Sequence, residues 1–145
     1  MSDNATHARY DSVFREDLFK GQVILVTGGG SGIGLGTARY CIERGARVTI
    51  CGRREDKIQA AAAELGDACR GVAADITLAA DRQKLLEEAI HHGGQLDALI
   101  NNAGNMYRGA ITELDETTLQ EVFHTNVIAA MMLTGLCTPS LAQQE

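Results

Sequence analysis

A glycine-rich segment follows a short apolar run near the start of the chain. Residues 23–26 are Val-Ile-Leu-Val, and glycines then occupy positions 28, 29, 30, 32 and 34. Glycines let the backbone turn sharply and approach a ligand, and the unpaired N–H groups at the start of the following helix favour an anion. The segment therefore predicts a pyrophosphate-binding turn formed by Thr27, Gly28, Gly30, Ser31, Gly32, Ile33 and Gly34.

Two arginines, Arg53 and Arg54, follow the second apolar run at residues 48–51. In dinucleotide-binding folds an acidic residue about 20 positions beyond the glycine turn holds the ribose 2′-hydroxyl, whereas an arginine accepts a 2′-phosphate. The alternative is that the arginines only solvate the start of a helix, where cations are mildly unfavourable. The sequence therefore favours NADP(H) over NAD(H) as cofactor.

Polar residues also follow the third and fourth apolar runs. Asp75-Ile76-Thr77 comes after the third, and Asn101-Asn102-Ala103-Gly104 comes after the fourth. Ligands of open parallel sheets bind at the carboxyl ends of the strands, so both segments are predicted to border one crevice. The structural alternatives are capping of the next helix by Thr77 or Asp75, and a simple asparagine-rich turn.

Asn126 lies within the last predicted helix. The apolar stripe of that helix is predicted to run through Leu119, Val122, Phe123, Ala130 and Leu133. Asn126 follows Leu119 by one heptad, so its amide is predicted to point inward. A buried amide needs hydrogen-bond partners, because leaving it unpaired costs about 1–3 kcal/mol. The side chain is predicted to be either a functional residue or a satisfied structural asparagine.

These residues are positioned by alternating strand and helix patterns. The predicted strands are 23–26, 48–51, 72–74 and 96–100, and the predicted helices are 32–44, 55–65, 78–92 and 116–137, the last ending before Pro139. The charges at residues 82–88 predict a solvated helix face. The alternation predicts an α/β fold with a doubly wound parallel sheet of the Rossmann type, incomplete, with strand order 3-2-1-4 and an open edge at strand four. Residues 1–20 are a polar lead-in, and residues 21–145 are the nucleotide-binding portion.

In combination these motifs resemble the short-chain dehydrogenase/reductase family. The segments Thr27-Gly28-x-x-x-Gly32-x-Gly34, Asp-x-Thr at 75–77 and Asn-Asn-Ala-Gly at 101–104 match its signatures, and the resemblance covers residues 21–139. It implies that Asp75 and Ile76 meet the adenine and that Asn101–Gly104 border the adjoining ribose. It also implies that Asn126 belongs to the catalytic tetrad and helps to hold a water in the proton relay.

The resemblance further implies hydride transfer between the nicotinamide and a carbonyl or alcohol, or an enoyl or acyl-thioester, substrate. The remaining tetrad residues, a Ser and a Tyr-x-x-x-Lys, are not found: Tyr10, Tyr40 and Tyr107 are followed four positions on by Phe, Arg and Ile. We therefore expect an N-terminal portion of the enzyme that is inactive by itself. The alternatives are a non-catalytic NADP(H)-binding module and a partner-docking module with an exposed strand edge.

The composition of the chain limits the classes of partner that it is expected to bind. The 145-residue chain has a net charge of −6, which argues against nucleic acid and anionic membranes as partners. The sequence also predicts no apolar run near the ~20 residues that a membrane span needs. Cys41, Cys51, Cys69 and Cys137 lack CxxC spacing, so they indicate small buried side chains in a reducing compartment and no metal site. The expectation is a cytoplasmic protein, and the resemblance implies a homo-oligomer for the complete enzyme.

Overall fold

A four-stranded parallel sheet organises the part of the chain that the computed structural model describes, residues 13–143. Its strands are β1 (Val23–Thr27), β2 (Arg47–Gly52), β3 (Cys69–Ala73) and β4 (Ala98–Ile100). Their order is β3-β2-β1-β4, with Leu25 of β1 opposite Thr49 on one side and Leu99 on the other. The predicted fold class and strand order are confirmed.

Helices cover both faces of the sheet. They are α1 (Gly32–Glu43), α2 (Glu55–Leu65), α3 (Ala79–Gly93) and a long helix, α4 (Glu116–Leu141), which follows a 3-10 turn at Ile111–Glu113. Ile24 and Val26 of β1 pack on the α1 and α2 side, whereas Leu25 packs on the α3 and α4 side. Burying each such side chain contributes about 1.5–3 kcal/mol, and this alternation explains why β1 is apolar at successive positions.

Two strand boundaries differ from the prediction. β3 begins three residues earlier, at Cys69, because it pairs with β2 from Val48 onward. β4 begins two residues later, at Ala98, although Leu96 is fully buried. The Asp97 carboxylate accepts a hydrogen bond from the Val23 N–H at 2.7 Å, so a side chain makes the bond that a further strand residue would make.

The course of α4 departs most from the prediction. Its middle, His124–Ala129, is a π-helix, which adds one residue to the turn and rotates everything that follows by about 100°. The predicted stripe is therefore wrong in its first half, where Leu119 is 39% exposed and Phe123 is 56% exposed. Asn126 is exposed as well, so the prediction that its amide is buried is wrong. The side chains that α4 buries are Ala129, Leu133 and Cys137.

The predicted end of α4 before Pro139 is also wrong. The helix continues through this proline to Leu141. Proline removes one backbone donor, but packing of Cys137 and Leu141 against the core keeps the segment helical. By length and composition alone, α4 is long and apolar enough to cross a membrane, contrary to the sequence-based expectation. A helix that packs on a protein core can meet the same two criteria, so this is weak evidence of a span.

The predicted lead-in is described only in part. Residues 1–12 lie outside the described range, as do residues 144 and 145. Val13 and Phe14 are exposed, whereas Phe19 packs against the core beneath α1 and α2. The Phe19 N–H donates to the Arg44 carbonyl at 2.9 Å, which ties the end of this segment to the end of α1. At the other side of the sheet, the only strand that β4 pairs with among residues 13–143 is β1.

Candidate functional site

Two adjoining clefts lie at the carboxyl ends of the strands. The larger, of about 500 Å³, is bordered by the segments that follow all four strands and by the middle of α4. The smaller, of about 400 Å³, lies between the glycine turn and the start of α2. Both clefts share the residues Gly28, Cys51, Gly52 and Arg53. The crevice therefore lies where ligands of doubly wound sheets bind.

Three glycines of the turn, Gly28, Gly29 and Gly34, are packed too tightly for a side chain. Gly28 has a φ of 65°, and a Cβ there would lie 2.9 Å from the Ala103 Cα. A Cβ on Gly34 would overlap the Gly28 carbonyl oxygen, and a Cβ on Gly29 would lie 2.6 Å from the Ile50 Cβ. The sequence-based site omitted Gly29, whose N–H donates to the Cys51 carbonyl at 3.1 Å. These glycines bring the backbone itself to the surface of the crevice.

The start of α1 presents unpaired backbone donors to this turn. Ser31 is the N-cap residue, and its side chain makes no capping hydrogen bond. The N–H groups of the first helical turn are therefore available to an anion, as the sequence predicts. Gly30 and Ser31 line the smaller cleft. Gly32 and Ile33 line neither cleft, and the Ile33 side chain is 82% exposed.

Thr27 and Asn102 support the turn from behind. Thr27 is fully buried, and its Oγ1 accepts hydrogen bonds from Asn102 N at 3.1 Å and Ala103 N at 3.0 Å. The Asn102 Nδ2 donates to the carbonyls of Thr27 and Gly28, both at 3.1 Å. The polar groups of these two predicted site residues are therefore used within the fold, where they fix the glycine turn to the end of β4.

Three cations border the smaller cleft. Arg53 and Arg54 were predicted from the sequence, and Lys57 joins them from the first turn of α2. None of the three lies within salt-bridge distance of a carboxylate of residues 13–143. The sequence could have indicated Lys57 by its helical spacing. It follows Arg54 by three residues, so the two side chains lie on the same face of the helix. Three cationic side chains that form no salt bridge within the described residues therefore border this cleft.

Asp75 and Ile76 border the larger cleft. The Asp75 Oδ1 accepts from Thr77 N at 3.0 Å and from Thr77 Oγ1 at 2.7 Å. These bonds lower the pKa of the Asp75 carboxyl, with smaller contributions from the charges of Arg53 and His124. The alternative that Thr77 or Asp75 caps α3 is wrong, because the N-cap residue of α3 is Leu78 and no side chain caps the helix from that position.

Two hydrogen-bonding groups of the Asp75–Ile76 segment have no partner in the described part of the chain. Within residues 13–143, the Asp75 Oδ2 and the Ile76 N–H have no hydrogen-bond partner. Ile76 is buried as a residue but borders the larger cleft. A flat base with adjacent donor and acceptor groups is the kind of ligand that satisfies such a pair.

The segment after β4 meets α4. Ala103 and Gly104 line the larger cleft, whereas the Asn101 Nδ2 donates to the Thr134 Oγ1 at 3.0 Å. Asn126 exchanges two hydrogen bonds with the Asn105 backbone: its Oδ1 accepts at 2.8 Å and its Nδ2 donates at 2.7 Å. Glu121, His124 and Thr125 of α4 also line the cleft and were not predicted from the sequence. The π-helix explains the omission, since a regular repeat does not show which of these side chains face the cleft.

Neither a metal site nor a reactive cysteine is found in the described residues. No group of three or more His, Cys, Asp or Glu side chains there could hold a metal ion. The four cysteines are free, and three of them are buried. Burial raises the pKa of the Cys51 thiol to about 11, so the only cysteine lining the clefts within residues 13–143 stays protonated near neutral pH.

Comparisons with known proteins agree with this architecture. A family model described as short chain dehydrogenase matches residues 22–145. L-fucose dehydrogenase of Oryctolagus cuniculus is 36% identical over 130 residues, which are 88% of this chain and 45% of that protein. Peroxisomal 2,4-dienoyl-CoA reductase of Arabidopsis thaliana is 33% identical over 121 residues, which are 81% of this chain and 41% of that protein.

A solved structure matches the fold as well as the sequence. The 3-ketoacyl-(acyl-carrier-protein) reductase from Brucella melitensis, complexed with NADH, superposes with a TM-score of 0.83 and 32% identity. The match covers 86% of this chain and 52% of that one. The chain thus spans about half the length of the relatives it matches. The family model, the relatives and the shared architecture together show that the chain belongs to the short-chain dehydrogenase family.

Proposed function

We propose that the two clefts bind a nicotinamide dinucleotide, with NADP(H) preferred over NAD(H). The observation that carries this proposal is the juxtaposition of a glycine turn, in which Gly28, Gly29 and Gly34 have no room for a side chain, with three cations. Arg53, Arg54 and Lys57 form no salt bridge within residues 13–143. Backbone N–H groups and a helix start hold a pyrophosphate, and arginines hold a further phosphate by bidentate hydrogen bonds. The 2′-phosphate of NADP(H) is the further phosphate that these arginines would hold.

In this proposal, different residues around the crevice bind different parts of the cofactor. The turn from Gly28 to Gly34 holds the pyrophosphate, and Thr27 and Asn102 keep that turn in place. The Asp75 carboxylate and the Ile76 N–H hold the adenine, while Ala103 and Gly104 border the adjoining ribose. The bound nicotinamide supplies hydride chemistry, and this chain's own residues bind and orient it.

For the complete protein we propose an oxidoreductase acting on a small-molecule carbonyl or alcohol, or on an enoyl or acyl-thioester. The relatives include L-fucose dehydrogenase and 2,4-dienoyl-CoA reductase, which supports this range of substrates. In this proposal Asn126 is a catalytic-site residue, and the Ser and Tyr-x-x-x-Lys lie in a further part of the protein. The chain of 145 residues alone is expected to catalyse no hydride transfer.

The same proposal covers the location, assembly and partners of the complete protein. We propose a cytoplasmic homo-oligomer, with neither nucleic acid nor a membrane as partner. The acidic net charge of −6 and four free cysteines support this setting. The intact mass of the native protein tests the longer-enzyme proposal: a mass well above 15.5 kDa supports it, and a mass of 15.5 kDa contradicts it.

Binding titrations test the cofactor proposal. NADPH and NADH are titrated separately into the wild-type chain and into Arg53→Ala/Arg54→Ala, with heat or nicotinamide fluorescence as the readout. We expect tighter binding of NADPH by the wild type and a loss of about tenfold or more in NADPH affinity in the double variant. NADH affinity should change by less than about twofold, since NADH lacks the 2′-phosphate.

The matched control is Arg70→Ala, which removes an exposed arginine of β3 that pairs with Glu88 at 2.7 Å, outside both clefts. This variant also removes the positive charge of an arginine, and it is expected to bind NADPH as the wild type does. Equal affinity of the wild type for NADPH and NADH would contradict the 2′-phosphate assignment. Failure to bind either dinucleotide would contradict the cofactor proposal as a whole.

A further inference from the structure

Three side chains in the first half of α3 bind the backbone at the end of β3 and in the segment that follows it. The Asp81 Oδ2 accepts from the Asp75 N–H at 2.7 Å, and the Arg82 Nη1 donates to the Ile76 carbonyl at 2.7 Å. The Lys84 Nζ donates to the Ala73 carbonyl at 3.2 Å. Side chains of α3 therefore hold the Ala74–Asp75 and Ile76–Thr77 peptide groups, which flank the Asp75–Ile76 peptide, and residues 74–77 also border the larger cleft.

Arg82 is the unexpected member of this set. The sequence places it on a solvated face, yet its exposed fraction is 9%, and it is the one charged residue counted as buried among residues 13–143. No carboxylate of the described residues lies within salt-bridge distance of it. Burying an unpaired cation is unfavourable, and an apolar side chain at a packed helix position usually replaces it without loss. The short bond to Ile76 is the specific interaction that an apolar residue cannot make.

The bond from Arg82 holds the residue that carries a free donor. The Ile76 carbonyl that it binds belongs to the Ile76–Thr77 peptide, and the free Ile76 N–H belongs to the adjacent Asp75–Ile76 peptide. With the Ile76 carbonyl held on the α3 side, the Asp75–Thr77 segment is constrained on the side opposite the cleft. The Ile76 N–H and the Asp75 Oδ2, which lack partners within residues 13–143, remain for a ligand. Recognition by hydrogen bonds depends on angle and distance, so the discrimination of one base from another depends on how firmly this segment is held.

We infer that Arg82 is a positioning residue that sets the base selectivity of the cofactor site, acting through the Ile76 peptide. The inference rests on the proposed function, because it takes the larger cleft to be the adenine site. Adenine offers an amino group to the Asp75 carboxylate, whereas hypoxanthine places a carbonyl oxygen there and is disfavoured. Arg82 touches neither base and acts only by holding the segment that does.

The test compares NADPH with its analogue in which hypoxanthine replaces adenine. Both are titrated into the wild type, Arg82→Met, Arg82→Lys and the control Arg70→Met, whose arginine is exposed and lies outside both clefts. We expect the wild type to prefer NADPH by about tenfold and Arg82→Met to prefer it by about twofold or less. Arg82→Lys keeps a donor and should recover part of the preference. The NADPH-to-NADH ratio should stay unchanged in all of these variants.

The outcomes separate this inference from the cofactor proposal. Circular dichroism and the thermal midpoint establish that each variant is folded, and Arg82→Lys provides the comparison if Arg82→Met does not fold. Wild-type base selectivity in the folded Arg82 variants would overturn the inference alone and leave Arg82 a structural residue. A parallel loss in the NADPH-to-NADH ratio would also overturn it, since the damage would then be general. A wild-type chain that binds neither dinucleotide would overturn the cofactor proposal, and this inference with it.

Discussion

Thr27, at the end of β1, and Asn102, just after β4, are joined by two hydrogen bonds of 3.1 Å, one through each residue's side chain. The same Asn102 Nδ2 reaches the Gly28 carbonyl, so the pair fixes the first residue of the glycine turn to the neighbouring strand. The shape of the proposed phosphate site therefore depends on two residues whose polar groups are turned away from the ligand.

Replacing Thr27 by Val should destabilise the fold at nearly constant side-chain volume. The Thr27 hydroxyl accepts from two backbone N–H groups, of Asn102 and Ala103. Valine leaves the Ala103 N–H without an acceptor and weakens the hold on Asn102, whose N–H keeps the Ile100 carbonyl at 3.0 Å. We expect the free energy of unfolding to fall by about 2 kcal/mol, measured by urea denaturation. NADPH affinity should fall in the same variant, because the glycine turn loses its support.

The matched control for Thr27→Val is Thr49→Val on the adjacent strand. Thr49 is also fully buried, but its Oγ1 has no hydrogen-bond partner within residues 13–143. Valine there removes an unsatisfied hydroxyl, so the free energy of unfolding should stay level or rise by up to about 1 kcal/mol. Similar losses in the two variants would mean that the hydrogen bonds of Thr27 are not what stabilises this region.

Two glycines of α1 should respond in opposite ways to alanine. A Cβ on Gly34 overlaps the Gly28 carbonyl and the Asn102 side chain, whereas nothing lies within 4 Å of a Cβ on Gly36. Gly34→Ala should abolish NADPH binding and lower the thermal midpoint, since the backbone must shift at the turn. Gly36→Ala should raise stability by about 0.5–1 kcal/mol through helix propensity and leave binding intact. Wild-type binding by Gly34→Ala would contradict the tight-turn account.

The lowered pKa of Asp75 gives the stability of the chain a predictable pH dependence. Thr77 stabilises the ionised carboxyl, so this contribution is fully present above the ordinary Asp pKa of 3.8. It is lost as the pH falls through the lower pKa of the folded state. Thr77→Val should therefore lose about 1 kcal/mol of unfolding free energy at neutral pH and progressively less below that range. Unfolding curves of the two proteins at several pH values measure the difference, and a difference independent of pH would contradict this cause.

Asn126 should control the mobility of the loop after β4 without controlling global stability. Its amide both donates to and accepts from the Asn105 backbone, while the side chain itself is exposed. In Asn126→Ala the Asn105 N–H loses its acceptor and should exchange with solvent at least about tenfold faster. The free energy of unfolding should change by less than about 1 kcal/mol. Unchanged exchange at Asn105 would show that the loop is held by other contacts.

Much of the fold is predictable because its determinants are local. Continuous apolar runs such as residues 23–26 predict strands buried on both faces, and the glycines after the first three helices predict the ends of those helices. The glycine turn and the arginines after β2 are predictable for the same reason, since one short segment contains both the geometry and the charge. The strand order then follows from the topology that parallel alternation permits.

The errors of the prediction concern residues whose environment is set by distant parts of the chain. A π-helix shifts the register of α4 by one residue, so a regular 3.6-residue repeat places Asn126 and Phe123 on the wrong face. Arg82 has the charge of a surface residue, and only the position of the Ile76 carbonyl explains why it is buried. Pro139 ends a helix in isolation but not one that is packed against a core.

The most direct test of the central claim is an NMR titration of the isotope-labelled chain with NADPH, followed at each backbone amide. The account predicts the largest shifts at Gly28–Ser31, at Arg53 and Arg54, and at Asp75–Thr77, with the exposed face of α4 around Met131 unaffected. Absence of any shift at millimolar NADPH, or shifts confined to α4, would contradict the assignment of the two clefts as a dinucleotide site.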